Sequence, residues 1–136
     1  MKTPSRKTVL LVDDDASIVE LVVDRLQYEG YATLAAYSAE EGLRLATRRQ
    51  PDLIILDLGM PGMTGMTFLN QIRLRLKQRP PILVFTARSH QVEEVRRTGL
   101  AEAVLVKTAD PSALLAEVRR LLGEATPEPS GPAPTQ

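Results

Sequence analysis

Five side chains that can do chemistry each stand at the end of a short run of apolar residues. Asp13 and Asp14 follow one run, Asp57 follows another, and Thr86 and Lys107 follow two more. A carboxylate can act as a nucleophile, whereas a hydroxyl and an ammonium can bind the oxygens of an anion. If the five meet, they form a site that suits an oxyanion such as a phosphoryl group.

Three carboxylates in one place cannot all ionise at low cost unless a cation lies among them. The chain has no Cys, and its single His, His90, lies in a polar stretch where we expect it to face solvent. Oxygen ligands without His or Cys favour a hard cation, most plausibly Mg²⁺. Taken singly, the acids could merely cap a helix, as we expect of Asp15, and Thr86 and Lys107 could be ordinary surface residues.

The apolar runs alternate with segments of helical periodicity, which predicts five strand–helix pairs. The predicted strands are 8–12, 31–36, 53–56, 82–85 and 103–106, and the predicted helices are 16–29, 38–49, 67–77, 89–98 and 110–122. This alternation is typical of an α/β protein with a parallel sheet, helices on both faces and right-handed crossovers. Parallel strands end at one edge of the sheet, so the five side chains should converge there.

Length and composition indicate one domain with flexible ends. The chain has 136 residues, 17 basic and 17 acidic, so no net field favours nucleic acid or an anionic membrane. It has no apolar run long enough to span a membrane and no signal peptide, and the absence of Cys is consistent with the cytoplasm. We predict a disordered lead-in at 1–7, a folded domain at 8–123 and a disordered Pro-rich tail at 124–136.

The motifs resemble those of the response regulator receiver domain of two-component signalling. The segments that carry this resemblance, in order, are Val12-Asp13-Asp14, residues 51–65 around Asp57, Phe85-Thr86-Ala87 and Lys107. The resemblance covers about residues 8–122. It implies a single (βα)5 flavodoxin-like fold, a doubly wound parallel sheet with strand order 2-1-3-4-5. The strongly apolar runs at Val9, Leu53 and Ile82 agree with central places in that order.

The resemblance implies a phosphoryl-accepting switch and not a turnover enzyme. Asp57 would be the phosphoacceptor, and Thr86 and Lys107 would hold the phosphoryl group. The Mg²⁺ ligands would be Asp14, Asp57, the Gly59 carbonyl and, through a water, Asp13. The donor would be a phosphohistidine on a histidine kinase or phosphotransfer protein. Phosphorylation would rearrange the face made by the fourth helix, fifth strand and fifth helix, which contacts an output protein that the sequence does not identify.

Three departures from the family pattern leave an alternative open. Thr108 replaces the usual cis proline, Val104 replaces a common aromatic residue, and the segment from Thr86 to Lys107 is one residue short. The aromatic rotamer switch is therefore absent, which predicts a smaller or different output change. The alternative is a degenerate receiver that binds partners without being phosphorylated. A phosphatase with an Asp nucleophile would need an acid two residues later, where this chain has Gly59.

Overall fold

The computed structural model describes residues 7–60, 65–107 and 110–124. Within these residues five strands alternate with five helices. The strands are β1 (Thr8–Val12), β2 (Ala32–Ala36), β3 (Leu53–Leu56), β4 (Ile82–Thr86) and β5 (Ala103–Val106). The helices are α1 (Ala16–Tyr28), α2 (Ala39–Arg49), α3 (Gly65–Arg75), α4 (Gln91–Thr98) and α5 (Pro111–Leu121). Predicted and observed elements coincide within about two residues, the usual uncertainty of helix ends.

All neighbouring strands are parallel, and their order is β2-β1-β3-β4-β5, which confirms the predicted flavodoxin-like sheet. The unbroken apolar runs of β3 and β4 are buried along their whole length, because helices cover both faces of the central strands. β2 and β5 lie at the edges and are mostly half-buried. The hydrophobicity of each run therefore indicated its place in the sheet.

The helices form two layers, and each layer has its own apolar core. α1 and α5 cover one face of the sheet, and α2, α3 and α4 cover the other. The first core includes Val22 and Leu115, and the second includes Leu43, Phe68 and Val95. None of the helices in the described parts of the chain has the length and apolar character needed to cross a membrane.

Short side chains begin the helices that flank the candidate site. Asp15 accepts hydrogen bonds from the backbone N–H groups of Ser17 and Ile18, so it caps α1 as expected. Asp110 caps α5 in the same way, through Ser112 N–H, and Pro111 occupies the first turn. The cap at Asp15 starts α1 directly after Asp13 and Asp14, which ties their loop to the helix.

Several side chains differ from what composition and periodicity alone indicate. The buried stripe of α1 runs through Val19, Val22 and Leu26, so the apolar residue Leu21 lies on another face and is 55% exposed. Arg119 on α5 is largely buried and forms an ion pair with Glu29. Glu124, predicted to begin the disordered tail, accepts a hydrogen bond from the Tyr31 hydroxyl.

Other expectations fall outside the described residues or at their limits. Thr108, whose peptide bond bears on the position of Lys107, and the turn residues 61–64 are not among the described residues. The carbonyl of Lys7, assigned to the lead-in, accepts a hydrogen bond from Ala32 N–H. His90 is exposed, as predicted.

Candidate functional site

The ends of four parallel strands bring the sequence-predicted site residues to one edge of the sheet. Val12 is in register with Leu56, and Thr86 is in register with Val106. The residues that follow continue the ladder: Asp57 N–H donates to Val12 O at 2.9 Å, and Lys107 N–H donates to Thr86 O at 2.7 Å. Asp13 N–H likewise donates to Ala36 O at 3.0 Å. Backbone hydrogen bonds therefore hold these residues in place.

The ammonium of Lys107 lies between two buried carboxylates. Its Nζ is 2.7 Å from Asp13 Oδ2 and 3.5 Å from Asp57 Oδ2. The side chains are 15% exposed for Lys107, 1% for Asp13 and 9% for Asp57. Three residues that are distant in the chain thus meet, as the sequence predicted. A single positive charge balances part of the negative charge of the site.

Backbone N–H groups orient both buried carboxylates. Asp15 N–H donates to Asp13 Oδ1 at 2.9 Å, and Gly59 N–H donates to Asp57 Oδ1 at 3.1 Å. Each bond spans two residues, so it fixes the carboxylate relative to its own loop. On both Asp13 and Asp57 the other oxygen, Oδ2, is the one closer to Lys107. The Oδ2 atoms of Asp13 and Asp57 therefore both face the Lys107 ammonium.

Burial and charge shift the proton affinities at this site. Burial raises the pKa of Asp13, and the neighbouring Asp57 charge adds to the rise, while the Lys107 contact and the Asp15 N–H oppose it. Burial lowers the pKa of Lys107, but the contact with Asp13 and the charges of Asp13 and Asp57 outweigh it, so the net pKa is raised. The Lys107 ammonium is therefore held in its charged form. The positive charge beside Asp13 does not fully offset the effect of burial on its pKa.

The donor set fits a hard divalent cation. Asp13, Asp14 and Asp57 each offer a carboxylate oxygen, and these atoms lie within 4.8 Å of one another. Asp14 is the exposed member, so the group is open to solvent on one side. Asp13 Oδ2 is buried, and among the described residues its partner is the Lys107 ammonium, 2.7 Å away. All-oxygen ligands with one open side are typical of Mg²⁺ sites.

Thr86 is fully buried at the end of β4, and its hydroxyl is engaged on the α4 side. The hydroxyl donates to Gln91 Oε1 at 3.0 Å and accepts from Arg88 N–H at 3.1 Å. Gln91 is the first residue of α4. The structure therefore places Thr86 on the strand adjacent to Asp57, with a direct connection to a helix.

Arg88 and Gln91 are site residues that the sequence analysis did not identify. With Gly59 they line a recess of about 430 Å³ beside the Asp57 loop. A Cβ at position 59 would lie 3.6 Å from Asp57 Oδ1 and 4.0 Å from Arg88 Nε, so the glycine leaves the approach to the carboxylate open. In the sequence, Arg88 and Gln91 are marked only by their spacing from Thr86. That spacing indicates a role at the site only once the start of α4 is known.

Comparison with protein families and curated proteins gives a consistent result. The response regulator receiver domain family matches residues 9–119. The chain is 35% identical over 117 residues to the alkaline phosphatase synthesis transcriptional regulatory protein PhoP of Bacillus subtilis, covering 85% of this chain and 48% of that protein. It is 34% identical over 128 residues to the DNA-binding response regulator MtrA of Mycobacterium tuberculosis, covering 92% and 54%. The chain spans about half the length of these relatives.

Solved structures show the same fold. The response regulator protein TrrA of Thermotoga maritima, solved in complex with Mg²⁺ and BeF, is 35% identical with a TM-score of 0.78, covering 85% of this chain and 98% of that one. A CheY-like receiver domain protein from Methanospirillum hungatei is 28% identical with a TM-score of 0.80, covering 88% and 95%.

Proposed function

The chain belongs to the response regulator receiver domain family of two-component signalling, and on that premise we propose that it accepts a phosphoryl group on Asp57 in a Mg²⁺-dependent reaction. Receiver domains are signalling switches, and response regulators receive phosphoryl groups from histidine kinases. We assign this role to the present chain, with a histidine kinase or phosphotransfer protein as the donor. A cytoplasmic location and action without direct DNA contact belong to the same proposal.

One observation carries the proposal: the Lys107 ammonium lies 2.7 Å from Asp13 and 3.5 Å from Asp57. A lysine that only stabilised the fold would need one partner, whereas this one faces two carboxylates beside a third. A buried cation next to a nucleophilic carboxylate can offset the charge of an incoming phosphoryl group. TrrA, which was solved with Mg²⁺ and BeF, supports this assignment because its chain superposes on this fold.

In the proposed reaction an Asp57 carboxylate oxygen forms a bond to phosphorus while the phosphorus–nitrogen bond of the donor histidine breaks. The electron pair of the broken bond remains on the nitrogen, and the imidazole leaves neutral because its other ring nitrogen carries a proton. The product is an acyl phosphate on Asp57. Lys107 contributes its charge to the phosphoryl oxygens, and Gly59 N–H keeps the carboxylate oriented.

The metal ligands in this proposal are Asp14, Asp57 and the Gly59 carbonyl directly, with Asp13 acting through a water. Mg²⁺, when bound, supplies positive charge that offsets the phosphoryl oxygens. The open side at the exposed Asp14 gives the ion access from solvent. Asp13 holds Lys107 at 2.7 Å, so the site has a positive charge of its own 3.5 Å from Asp57 Oδ2.

We assign the output change to Thr86 and the face formed by α4, β5 and α5. A phosphoryl oxygen on Asp57 would attract the Thr86 hydroxyl proton that now goes to Gln91 Oε1. Val104 on β5 has no aromatic ring to follow this movement, so the signal passes through the start of α4. An output protein that binds this face would respond to the change.

Intact-mass measurement after mixing the protein with Mg²⁺ and acetyl phosphate tests the proposal. We expect the mass of one added phosphoryl group on the wild type, none on Asp57→Asn, and full labelling of Asp24→Asn, an exposed control carboxylate. Omission of Mg²⁺ should slow the wild-type labelling strongly.

Two results would contradict the proposal. Labelling of Asp57→Asn at the wild-type rate would mean that another residue is the acceptor. No labelling of a folded wild type by acetyl phosphate or by a phosphorylated histidine kinase would instead support the degenerate receiver that binds partners unphosphorylated.

A further inference from the structure

The balanced net charge of this chain conceals a strongly basic region. Between residues 42 and 79 there are seven basic and two acidic residues. The basic ones are Arg44, Arg48, Arg49, Arg73, Arg75, Lys77 and Arg79, and the acidic ones are Asp52 and Asp57. Asp57 belongs to the candidate site, and Asp52 accepts a hydrogen bond from Thr8 N–H. Neither acid therefore neutralises these seven residues. α2 also carries Glu40 and Glu41 in its first turn, and Glu41 accepts a hydrogen bond from Tyr37 N–H.

Two adjoining recesses bring four of these cations together. One, of about 450 Å³, is lined by Arg44, Arg48 and Arg75. The other, of about 190 Å³, is lined by Arg75 and Lys77. Arg75 and Thr47 line both recesses, so the two form one continuous surface. We refer to Arg44, Arg48, Arg75 and Lys77 as the α2–α3 basic surface.

The cations of the α2–α3 basic surface are available to a partner. None of the four forms an ion pair with any residue in the described parts of the chain. Arg75 Nε donates to Gln71 Oε1 at 3.1 Å, which orients the guanidinium and leaves its terminal nitrogens free of protein hydrogen bonds among those residues. Arg73, by contrast, is bound internally to Glu102 and is not part of this surface.

Stabilisation of helix ends does not explain all four cations of the α2–α3 basic surface. Arg48 and Arg75 lie in the last turns of α2 and α3, where a cation interacts favourably with the helix dipole. Arg44 lies before the last turn of α2, and Lys77 follows the end of α3. The two additional cations therefore concentrate positive charge without this local benefit.

We infer that the α2–α3 basic surface binds an acidic, amphipathic segment of a partner protein, in which Asp or Glu side chains flank an apolar one. Three guanidinium groups can each form paired hydrogen bonds with a carboxylate. The smaller recess also presents Leu76, a half-buried apolar side chain that an apolar anchor would contact, above the buried Pro80.

An acidic peptide fits this surface better than a nucleic acid does. A sugar–phosphate backbone offers little apolar area to match Leu76, the half-buried apolar residue of the smaller recess. An interface with apolar residues among charged ones is typical of protein partners.

The surface is independent of the proposed phosphoryl transfer. Pro51 and Pro80, which line the smaller recess, stand just before the starts of β3 and β4, each with one residue between. The recess therefore lies at the amino-terminal edge of the sheet, whereas Asp57 lies at the carboxyl-terminal edge. A partner could bind here whether or not Asp57 is modified.

Fluorescence anisotropy with a labelled peptide of repeating Glu-Glu-Leu tests the inference on the full chain. We expect binding to the wild type that weakens with added salt, and no binding of the Gln-Gln-Leu peptide. The triple variant Arg44→Gln/Arg48→Gln/Arg75→Gln should lose affinity by about tenfold or more. The matched variant Arg25→Gln/Arg97→Gln/Arg120→Gln removes equal charge from other exposed positions and should stay within about twofold of the wild type.

Four results would overturn the inference. The first is an equal loss of affinity in both triple variants, and the second is equal binding of the Gln-Gln-Leu and Glu-Glu-Leu peptides. The third is displacement of the acidic peptide by a DNA duplex at a lower concentration. The fourth is self-association in sedimentation that depends on the three arginines. Circular dichroism checks that the variants fold. If the triple variant unfolds, the single change Arg48→Gln and the comparison of the two peptides on the wild type decide the question.

Discussion

At the scale of single residues, the proposed function gives Lys107 two tasks that compete for one ammonium. In the structure the ammonium contacts Asp13 at 2.7 Å, and a cation bound by the carboxylates would also draw on Asp13. The distance from the ammonium to Asp57 is longer, at 3.5 Å. Under the proposal, the lysine would balance the carboxylates before a metal binds, and it would turn toward Asp57 once another cation balances Asp13. The two tasks compete because the single positive charge of Lys107 faces several carboxylates.

Replacing Lys107 by Ala should separate these two tasks. We expect Mg²⁺ affinity to be retained or to rise, because removal of a competing cation leaves the three carboxylates with more uncompensated charge. Labelling of Asp57 by acetyl phosphate and the resulting structural response should fall, by roughly tenfold or more, because the charge that offsets the phosphoryl oxygens is lost. Calorimetric titration with Mg²⁺ and intact-mass kinetics measure the two effects. Complete loss of Mg²⁺ binding by a folded variant would contradict these roles.

The residue scale also shows the limits of the sequence. Asp13, Asp57 and Lys107 could be predicted because each directly follows an apolar run, and parallel strands end together. The roles of Gln91 and Arg73 could not be predicted from the sequence. Arg73 reaches from α3 to the carbonyls of Pro80 and Leu100 and to Glu102, and nothing local marks such a long-range bond.

At the scale of elements, the start of α4 is weakly held. His90 precedes it without a side-chain capping bond, and Val95 is the buried residue of the helix. The Thr86–Gln91 hydrogen bond adds a side-chain link to the backbone bonds from Gln91 N–H to Arg88 O and from Val92 N–H to Ser89 O at this end. The periodicity predicted the helix itself, but its start lay two residues later than expected because Ser89 and His90 do not cap it.

Replacing Gln91 by Ala should loosen α4 in the unmodified protein. Loss of a hydrogen bond of about 1 kcal/mol predicts about fivefold faster amide exchange in α4. Beryllofluoride with Mg²⁺ should speed the same amides in the wild type and add little in the variant, because the Thr86 proton is already released from Gln91. Gln91→Glu keeps an acceptor and serves as the control. Unchanged exchange in Gln91→Ala, with the wild-type response intact, would show that the signal takes another route.

The position of α2 depends on a glycine packed against β1. A Cβ at Gly42 would lie 2.8 Å and 2.9 Å from the two γ-carbons of Val12 and 3.3 Å from Phe68 Cε1. Val12 directly precedes Asp13, so this close approach also bears on the backbone of the site. The sequence could not predict it, because a glycine inside a helix usually weakens it.

Replacing Gly42 by Ala should destabilise the protein by about 1–3 kcal/mol, since overpacking outweighs the helical advantage of about 1 kcal/mol. Urea unfolding measures this change. Val12→Ala removes the two carbons that collide with the new Cβ. The double variant should therefore be more stable than the sum of the single effects predicts. Additive effects on the free energy of unfolding, or a stabilising effect of Gly42→Ala, would mean that α2 and β1 do not pack this closely.

At the scale of the whole molecule, polar contacts fasten the end of α5 to the end of α1 and the start of β2. Arg119 forms an ion pair with Glu29 at the end of α1, and Glu124 N–H donates to Arg119 O at 2.8 Å. Tyr31, at the start of β2, donates to Glu124 at 2.7 Å. The sequence predicts a domain that ends at residue 123, but composition alone could not show that Glu124 has a partner 93 residues earlier.

Tyr31 gives this contact a pH dependence. Burial raises the pKa of Tyr31 above its ordinary value, and the hydrogen bond and charge of Glu124 raise it further. The hydroxyl therefore stays protonated in the folded protein at pH values where it ionises in the unfolded chain. Its contribution to stability is fully present below the unfolded pKa of about 10 and falls as the pH rises toward the folded pKa.

Tyr31→Phe removes both the bond and the titration. At pH 7 we expect a loss of about 1 kcal/mol in the free energy of unfolding. Above about pH 10 the wild type should lose stability more steeply than the variant, so the difference between them narrows. Urea unfolding at neutral and alkaline pH measures both, and Tyr28→Phe, at a position 85% exposed, is the control. Parallel alkaline losses in wild type and Tyr31→Phe would show that Glu124 does not hold this hydroxyl in its protonated form.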